Sequence, residues 1–508
     1  MSKCIIKLEI SASGVDSRTL QNMAHALEVV IRAIVNAWLA FRDSAVTPSR
    51  AFGLERSLLP LVREVGRVVL QVAMQEGEPS RVEEVQPRIS VGLCREYRLA
   101  KNSRTPLPID TRFGRITVQR WAYKSLFAGE PGLFPFDLRW GLAAGVSQGL
   151  AERIGHQASD QTQGELRAEL LAECGVSISV KRLRKAVGNV AAQVAPVMRA
   201  ARVARVIALM KEAVAGGGPH RITMSLGRAG CNVPMRGKSP FKVAAAATIS
   251  IHDGHGKRRG TVYLGQMPQA NQVALTQELN EIWQDVLREW HQECPAQQLP
   301  RLVYLTDSGH QEVDYWKQLR NSRHPVTKVR LKWIRVADFY HACQYISKMA
   351  DALFDDEEQR KCWLREMRRL MRDAPRGARR VLQSAAAHRS HRVRLRDQDL
   401  EAYTSGFNYL ASRLKYMQYD RCQSSGLPIG SGVTEAGCKT LFTQRFKRSG
   451  MKWTNAGAHP ILQIRTLALS HIWPSTYTAS LTILDQQVAA LPPHAIQRSS
   501  SKNSQNAL

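Results

Sequence analysis

Between Gly216-Gly217-Gly218 and Val336 the chain alternates extended and helical patterns in one fixed order, and that order restricts the fold more than any other feature. Arg221 to about Leu226 reads as a strand and Phe241 to His252 (FKVAAAATISIH) as a second. After the turn Asp253-Gly254-His255-Gly256, Gly260 to Leu264 reads as a third. A helix from Asn271 to Gln292, an apolar strand from Arg301 to Thr306 (RLVYLT), a helix near Val313 to Arg320 and a strand from Lys328 to Val336 follow. Three antiparallel strands followed by alternating helices and strands predict an α/β core.

The flanks read differently. Residues 16 to 43 and 54 to 76 carry apolar residues at three-and-four spacing and predict amphipathic helices, which form an N-terminal helical unit over 1–80. Residues 81–140 mix Gly, Pro and short β-like runs such as Gly114 to Arg120, as a small β module would. In 141–215 helical patterning returns. Gly175-Val176-Ser177-Ile178-Ser179 separates two helical stretches, and Lys181, Arg182, Arg184 and Lys185 open the second. This fits a helix-turn-helix with a recognition helix, and equally a solvated basic helix in a bundle. Beyond the core segment 219–337, helix dominates 338–425, where residues 360 to 396 hold thirteen Lys/Arg against Glu366 and Asp373. Residues 426–480 follow, and the Ser/Asn/Gln-rich tail 481–508 has the composition of a disordered end.

Composition narrows the partner. Of 508 residues, 44% are hydrophobic and 23% charged, which excludes a wholly disordered, collagenous or mini-scaffold chain. Lys and Arg number 72 against 43 Asp and Glu, a formal +29 suited to a polyanion, nucleic acid first. The nine cysteines are odd in number and form no Cys-x-x-Cys pair or zinc-finger spacing, as in a reducing compartment. No stretch reads as long and apolar enough to cross a bilayer. No helix shows a uniformly basic face opposite a Trp/Phe/Leu face, so the expectation is a cytoplasmic protein without a membrane partner.

Two carboxylates stand out. Asp307 follows the apolar run RLVYL and so projects from the carboxyl end of a central strand, where α/β folds place their sites. Glu435 lies in Pro428-Ile429-Gly430-Ser431-Gly432-Val433-Thr434-Glu435, a Gly/Ser turn opening a helix, as either a helix-start acid or a metal ligand. In so basic a protein, carboxylates that face phosphate need a divalent cation between them.

GLPIGSGVTEAGCKTLFTQRFKRSGMKW (426–453), VADFYHACQYI (336–346) and LTDSGH (305–310) together resemble the DDE transposases of bacterial insertion sequences, specifically the Kra-type group related to Mutator-like and hAT-like elements. The resemblance runs from about residue 90 to about 475. It implies a ribonuclease-H-like core with a helical insertion before the last acidic residue, here 338–425. It also implies two Mg²⁺ or Mn²⁺ ions held by three carboxylates, with Asp307 second and Glu435 third. Asp338 and His341, in Asp-Phe-Tyr-His, match a supporting motif, although His341 taken alone reads as a satisfied core histidine. Lys447, Arg448, Lys452 and Trp453 would grip the DNA backbone or flipped bases, against the alternative of a solvated basic helix. Double-stranded DNA, namely transposon ends and target, is the implied partner. Pairing two ends implies a homodimer or higher oligomer, with the 16–76 helices as candidate contacts, in the bacterial cytoplasm at the nucleoid.

The departures are as informative as the match. The family's first acidic residue falls in an Asp-Gly-x-x-Val-Pro pattern, where this chain has Ala229-Gly230-Cys231-Asn232-Val233-Pro234. Ala229 thus stands at the position of the first carboxylate, by natural decay or by an engineered change, and weak or absent DNA cleavage follows. Asp253, the only nearby acid, belongs to a hairpin tip at the wrong end of the sheet. The β module keeps only Cys94 of the relatives' paired cysteines, so no zinc ribbon is expected. A non-catalytic DNA-binding regulator is the alternative. A ribosomal or RNA-binding protein would explain the charge but leave Asp307, Glu435 and the Asp-Phe-Tyr-His segment without purpose.

Overall fold

The computed structural model describes residues 17–43, 45–91, 95–237, 239–307, 310–391 and 395–489, so Cys94 and the tail beyond residue 489 lie outside the described residues. The chain divides into two units, Met1–Gln193 with Tyr477–Leu508, and Val194–Thr476. Two helices, α6 (Val180–Ala215) and α17 (Trp473–Ala489), contribute residues to both.

In the first unit α1 (Ser17–Arg42) packs on α2 (Pro48–Glu76). Thr47 caps α2 by accepting from the Arg50 N–H, and Pro48 occupies the first turn, where a missing N–H costs nothing. By length and composition Thr19–Arg42 could cross a membrane, with a mean hydropathy of 1.4 and 11% of its apolar window buried. This corrects the expectation that no stretch would. Only Glu28 and Arg32 interrupt its apolar centre, and they pair with each other at 2.7 Å.

The β module holds β1 (Arg88–Val91), β2 (Arg95–Leu99) and β5 (Tyr123–Ser125) in one sheet, and β3 (Thr105–Thr111) and β4 (Gly114–Arg120) as a hairpin. Val85, Ile89, Tyr97, Trp121 and Tyr123 form one core, and Met74 of α2 joins Ile109, Ile116, Val118 and Phe136 in another. Four helical segments complete the unit: α3 (Pro135–Arg139), α4 (Gln148–Ala158), α5 (Gln163–Cys174) and the start of α6. A Thr162/Glu165 capping box opens α5, and Gly175, at φ +65°, ends it in the left-handed region that glycine tolerates. Ser179 then accepts from the Arg182 N–H at the head of α6.

Glu78 is buried beside Arg139, Arg104 and Asp137, and burial pushes its carboxyl up to about 7. Below about pH 4.5 both folded and unfolded chains carry it protonated. Between there and pH 7 only the unfolded chain has released the proton, so this group's contribution to stability falls as pH rises, by up to about 3 kcal/mol. Denaturant titrations from pH 4.5 to 7.5 should lose that slope in Glu78→Gln, and an identical pH dependence in the variant would contradict the assignment.

The second unit is built on a five-stranded mixed sheet in the order β10-β9-β6-β7-β8. Its strands are β6 (Thr223–Pro234), β7 (Phe241–His252), β8 (Arg258–Gln266), β9 (Arg301–Thr306) and β10 (Trp333–Ala337). β6, β7 and β8 are antiparallel neighbours, whereas β9 and β10 run parallel to β6. The crossovers are α7 (Val273–Glu293) and α8 (His310–Arg320). Side chains alternate across the strands. Met224, Leu226, Ala245, Ala247, Leu302 and Tyr304 pack on one face with α6, α7 and α8. Val303, Leu305 and Val336 face the other way.

That second face receives α9 (Phe339–Leu353), α10 (Glu357–Asp373), α11 (Gly377–His391), α12 (Asp397–Arg413) and α13 (Tyr419–Ser424). It also receives α14 (Gly432–Cys438), which a π-helical turn, Lys439–Thr443, continues into α15 (Gln444–Phe446). α16 (Asn455–Leu469) covers β8, and the Ser470 hydroxyl accepts from the Tyr263 N–H at 2.9 Å. Asp253 sits in the β7–β8 turn, accepting from the N–H groups of His255 and Lys257 and pairing with Arg259, at the end of β7 opposite Thr223. The position is a turn lock, remote from the carboxyl end of β6.

Candidate active site

Register brings the sequence-predicted residues together. β9 pairs with β6 as far as Leu305 opposite Gly227, and continuing two residues puts Asp307 level with Ala229. β10 pairs with β9 as far as Ala337 opposite Thr306, so the next residue, Asp338, is level with Asp307. Positions 229, 307 and 338 are therefore level with one another, about 4.8 Å apart from strand to strand, the last two just past the carboxyl ends of β9 and β10 and Ala229 within β6, which runs on to Pro234. All three share the face carrying Leu305 and Val336.

Glu435 approaches from above that face. A side chain at Gly227 would collide with the hydroxyl of Thr434, which shares a 2.7 Å hydrogen bond with Thr248 on β7. Helix α14 can lie this close because the strand floor is Gly227, Ala229, Ala244 and Ala246. The Ser431 hydroxyl donates to Glu435 Oε1 at 3.3 Å, while the Ser431 N–H donates to Asp338 Oδ2. Asp338 is fully buried, and its Oδ1 accepts from the His341 N–H as the cap of α9. Both its oxygens are thus engaged by backbone, and it is a positioning residue that fixes the start of α9 and the loop before α14.

No protein-family model matches the chain, and no curated protein matches it. The reading of this site therefore rests on its geometry and on the residues themselves.

Asp307 and Glu435 are both exposed at this rim. The Tyr409 hydroxyl donates to the Asp307 carbonyl at 3.0 Å, and its ring stacks on Tyr345 at 3.8 Å. His341 is half-buried and packs edge-on to both rings. Burial pushes the Tyr409 phenol above its usual range, which keeps it a hydrogen-bond donor. Behind the strands the buried Glu312 accepts from the Tyr304 hydroxyl and lies 3.9 Å from Arg228. Burial lifts its carboxyl above the usual range, and the Asp307 charge adds to the rise.

The described residues hold no cluster of three or more His, Cys, Asp or Glu arranged for a metal ion. With both Asp338 oxygens occupied, Asp307 and Glu435 are the two carboxylates left at the rim, beside the methyl group of Ala229. This donor set does not fit a two-metal centre, which needs a carboxylate shared between the ions.

Several expected DNA contacts turn out to have structural roles. Arg182 pairs with the fully buried Asp110 at 2.6 Å and donates to the carbonyls of Ala144 and Gly145, so it ties α6 to the β module and is not open to DNA. Trp453 donates from Nε1 to the Phe446 carbonyl and packs against Phe446 and Arg445, while its backbone bridges Pro234 and Arg236. It is a structural clamp on the end of β6, not a stacking platform. Arg448 donates to the Gln444 carbonyl. Lys181, Arg184, Lys185, Lys447 and Lys452 are exposed. Lys447 Nζ lies 3.9 Å from the Cys231 sulfur, two residues beyond Ala229 on the same strand face.

Ser431 and Tyr409 were missed in the sequence. Ser431, inside the quoted Gly-Ser-Gly turn, carried a usable signal, since a hydroxyl before a helix is an ordinary capping group. Tyr409 carried none, because its partner is 102 residues away.

Proposed function

We propose that this chain is a DDE-type transposase, similar to those of bacterial insertion sequences, that binds duplex DNA at transposon ends but lacks one catalytic carboxylate and so cleaves DNA poorly or not at all. The observation that carries this reading is the row of Ala229, Asp307 and Asp338 level on three parallel strands, with Glu435 tied to it through Ser431. The sheet order, three antiparallel strands extended by two parallel ones, supports a ribonuclease-H-like core. Helices α9 to α13, between β10 and α14, fit a helical insertion before the last acid. The formal charge of +29 supports a polyanionic partner.

When complete, such a site would hold two Mg²⁺ or Mn²⁺ ions that polarise a phosphodiester. Of the carboxylates such a site would need, this chain offers Asp307 and Glu435. The chain's own groups bind and orient the strand: exposed Lys181, Arg184 and Lys185 at the head of α6, and Lys447 and Lys452 after α14. Homodimerisation to pair two ends belongs to this reading, supported by exposed Val29, Trp38, Phe52, Leu59 and Val62 on α1 and α2. So does the bacterial cytoplasm as its location. Ala229, if natural, favours a second reading, a DNA-binding regulator descended from such an enzyme.

Gel-shift and strand-cleavage assays on duplex DNA carrying the element's terminal repeats test the proposal. The chain should bind, with affinity falling steeply as salt rises, and should leave the DNA uncut in Mg²⁺ or Mn²⁺. Asp307→Asn should bind equally well. Cleavage by the chain as it stands, abolished by Asp307→Asn, would overturn the impaired site, and failure to bind DNA at all would overturn the whole reading.

A further inference from the structure

The sequence carries its densest basic block in 360–396, and the fold gives part of that block a shape. Lys361, Arg365, Arg368 and Arg372 follow one another at intervals of four, three and four along α10, which aligns them on one face of the helix, with Arg369 beside them. With Leu364 and Phe339 these cations line a groove of about 630 Å³. The opposite face of α10 is Trp363, Met367 and Met371, all buried in the core beneath the sheet. A cationic face opposite a Trp/Met face therefore exists, contrary to the sequence reading. Its apolar side is already packed inside the protein and is not free to enter a bilayer.

The cations are little neutralised. Lys361 pairs with Glu357 and Glu358, and Arg372 with Asp373, all exposed pairs of small energetic value. Arg368 donates to the Ser347 hydroxyl, and the charge of Arg369 acts on Asp373, which already pairs with Arg372. The groove also has a direction. Phe339, on its wall, directly follows Asp338, and the exposed Tyr340 lies over Gly430 in the loop that leads to Ser431 and Glu435.

We infer that this groove is a second DNA-binding site, holding the phosphodiester backbone of a duplex and delivering it to the rim at Asp307. The inference rests on the DNA-binding reading above and adds to it a surface that reading does not contain. The stripe from Lys361 to Arg372 is about 17 Å long. That is enough to face roughly five phosphates of one strand at about 3.4 Å of axis per phosphate. Arginine heads suit this role because each forks onto phosphate oxygens in pairs.

The test is the salt dependence of binding to a 30-base-pair duplex for the full chain and for the triple variant Arg365→Gln, Arg368→Gln, Arg369→Gln. All three side chains are exposed, so the fold should survive, and circular dichroism checks this. Each phosphate contact contributes about −0.9 to the slope of log K against log salt, so the slope should lessen by about 3 and affinity near 0.1 M salt should fall about a hundredfold. Cys362, an exposed thiol on the same helix, supplies a second readout, since duplex DNA should slow its alkylation. If the parent chain binds DNA and the variant matches it in slope and in Cys362 protection, the groove is not a DNA site and the broader reading stands. If the parent does not bind DNA, both fall. Equal Cys362 protection by anionic phospholipid vesicles would replace DNA with a membrane surface and also overturn the inference.

Discussion

On the function proposed above, Ala229→Asp should give the chain metal-dependent cutting of DNA. The new carboxyl would project from the same strand face as Asp307, on the adjacent strand, about 4.8 Å away and under the approach of Glu435. Its neighbours are small: Gly227 before it and Ala246 across the ladder, and position 229 is itself partly exposed, so the larger side chain need not displace the core. Three carboxylates would then surround one point, the ligand count that Mg²⁺ or Mn²⁺ needs against phosphate. Several kcal/mol of transition-state stabilisation follow, so metal-dependent nicking should rise by about 10³-fold or more. The measurement is strand cleavage with Mn²⁺ for the parent, for Ala229→Asp, and for Ala229→Asp with Asp307→Asn, alongside Mn²⁺ binding by calorimetry. A variant that neither binds Mn²⁺ nor nicks would mean that Asp307 and Glu435 do not converge as the register implies.

Removing the carboxylate of Asp338 should damage the fold more than any other single change at this site. Its two oxygens answer two buried N–H groups, one opening α9 and one at Ser431, and no water-exposed alternative exists for a fully buried side chain. Asp338→Ala orphans both donors and deletes a helix cap, at about 3 to 5 kcal/mol. For a unit of this size the melting temperature should drop by about 10 °C. Asp338→Asn retains one acceptor and should fall between the two. Equal melting of the Ala variant and the parent would show that the Ser431 loop is held by something else. Since Ser431 positions Glu435, any activity gained through Ala229→Asp should vanish in Asp338→Ala even below its melting point.

The strands that were readable in the sequence are those whose ends carry local chemistry. β7 begins and ends where the apolar run meets the Asp-Gly-His-Gly turn, and β9 is the run RLVYLT and nothing more. β6 was read as ending near Leu226 but continues to Pro234. Gly227, Gly230 and Asn232 have little intrinsic strand preference, and twelve residues of pairing to β7 impose it. In the other direction β10 begins only at Trp333, since Lys328 to Lys332 form a bridge and loop before it.

At the site, Asp307 and Glu435 were legible because each adjoins a strand end or a turn, and Asp338 through the resemblance carried by Asp-Phe-Tyr-His. The fates of Arg182 and Trp453 were not. A cation beside a turn reads the same whether its partner is phosphate or a buried Asp110, 72 residues earlier in the chain. The tryptophan's partners on β6 are likewise remote in sequence. The groove along α10 was visible as charge but not as a face, because which side of a helix is buried depends on what packs against it.

The floor of small side chains beneath α14 has one more implication, about how such a protein ages. The helix above rests on Gly227 and Thr248 and position 229 is partly exposed, so the packing of α14 does not depend on an acid there. Asp and Ala codons differ by a single base, so a lineage could lose its cutting chemistry in one mutational event without disturbing the scaffold. On the function proposed above, such a chain would still occupy the DNA sites that intact relatives cut, and would shield them from active copies.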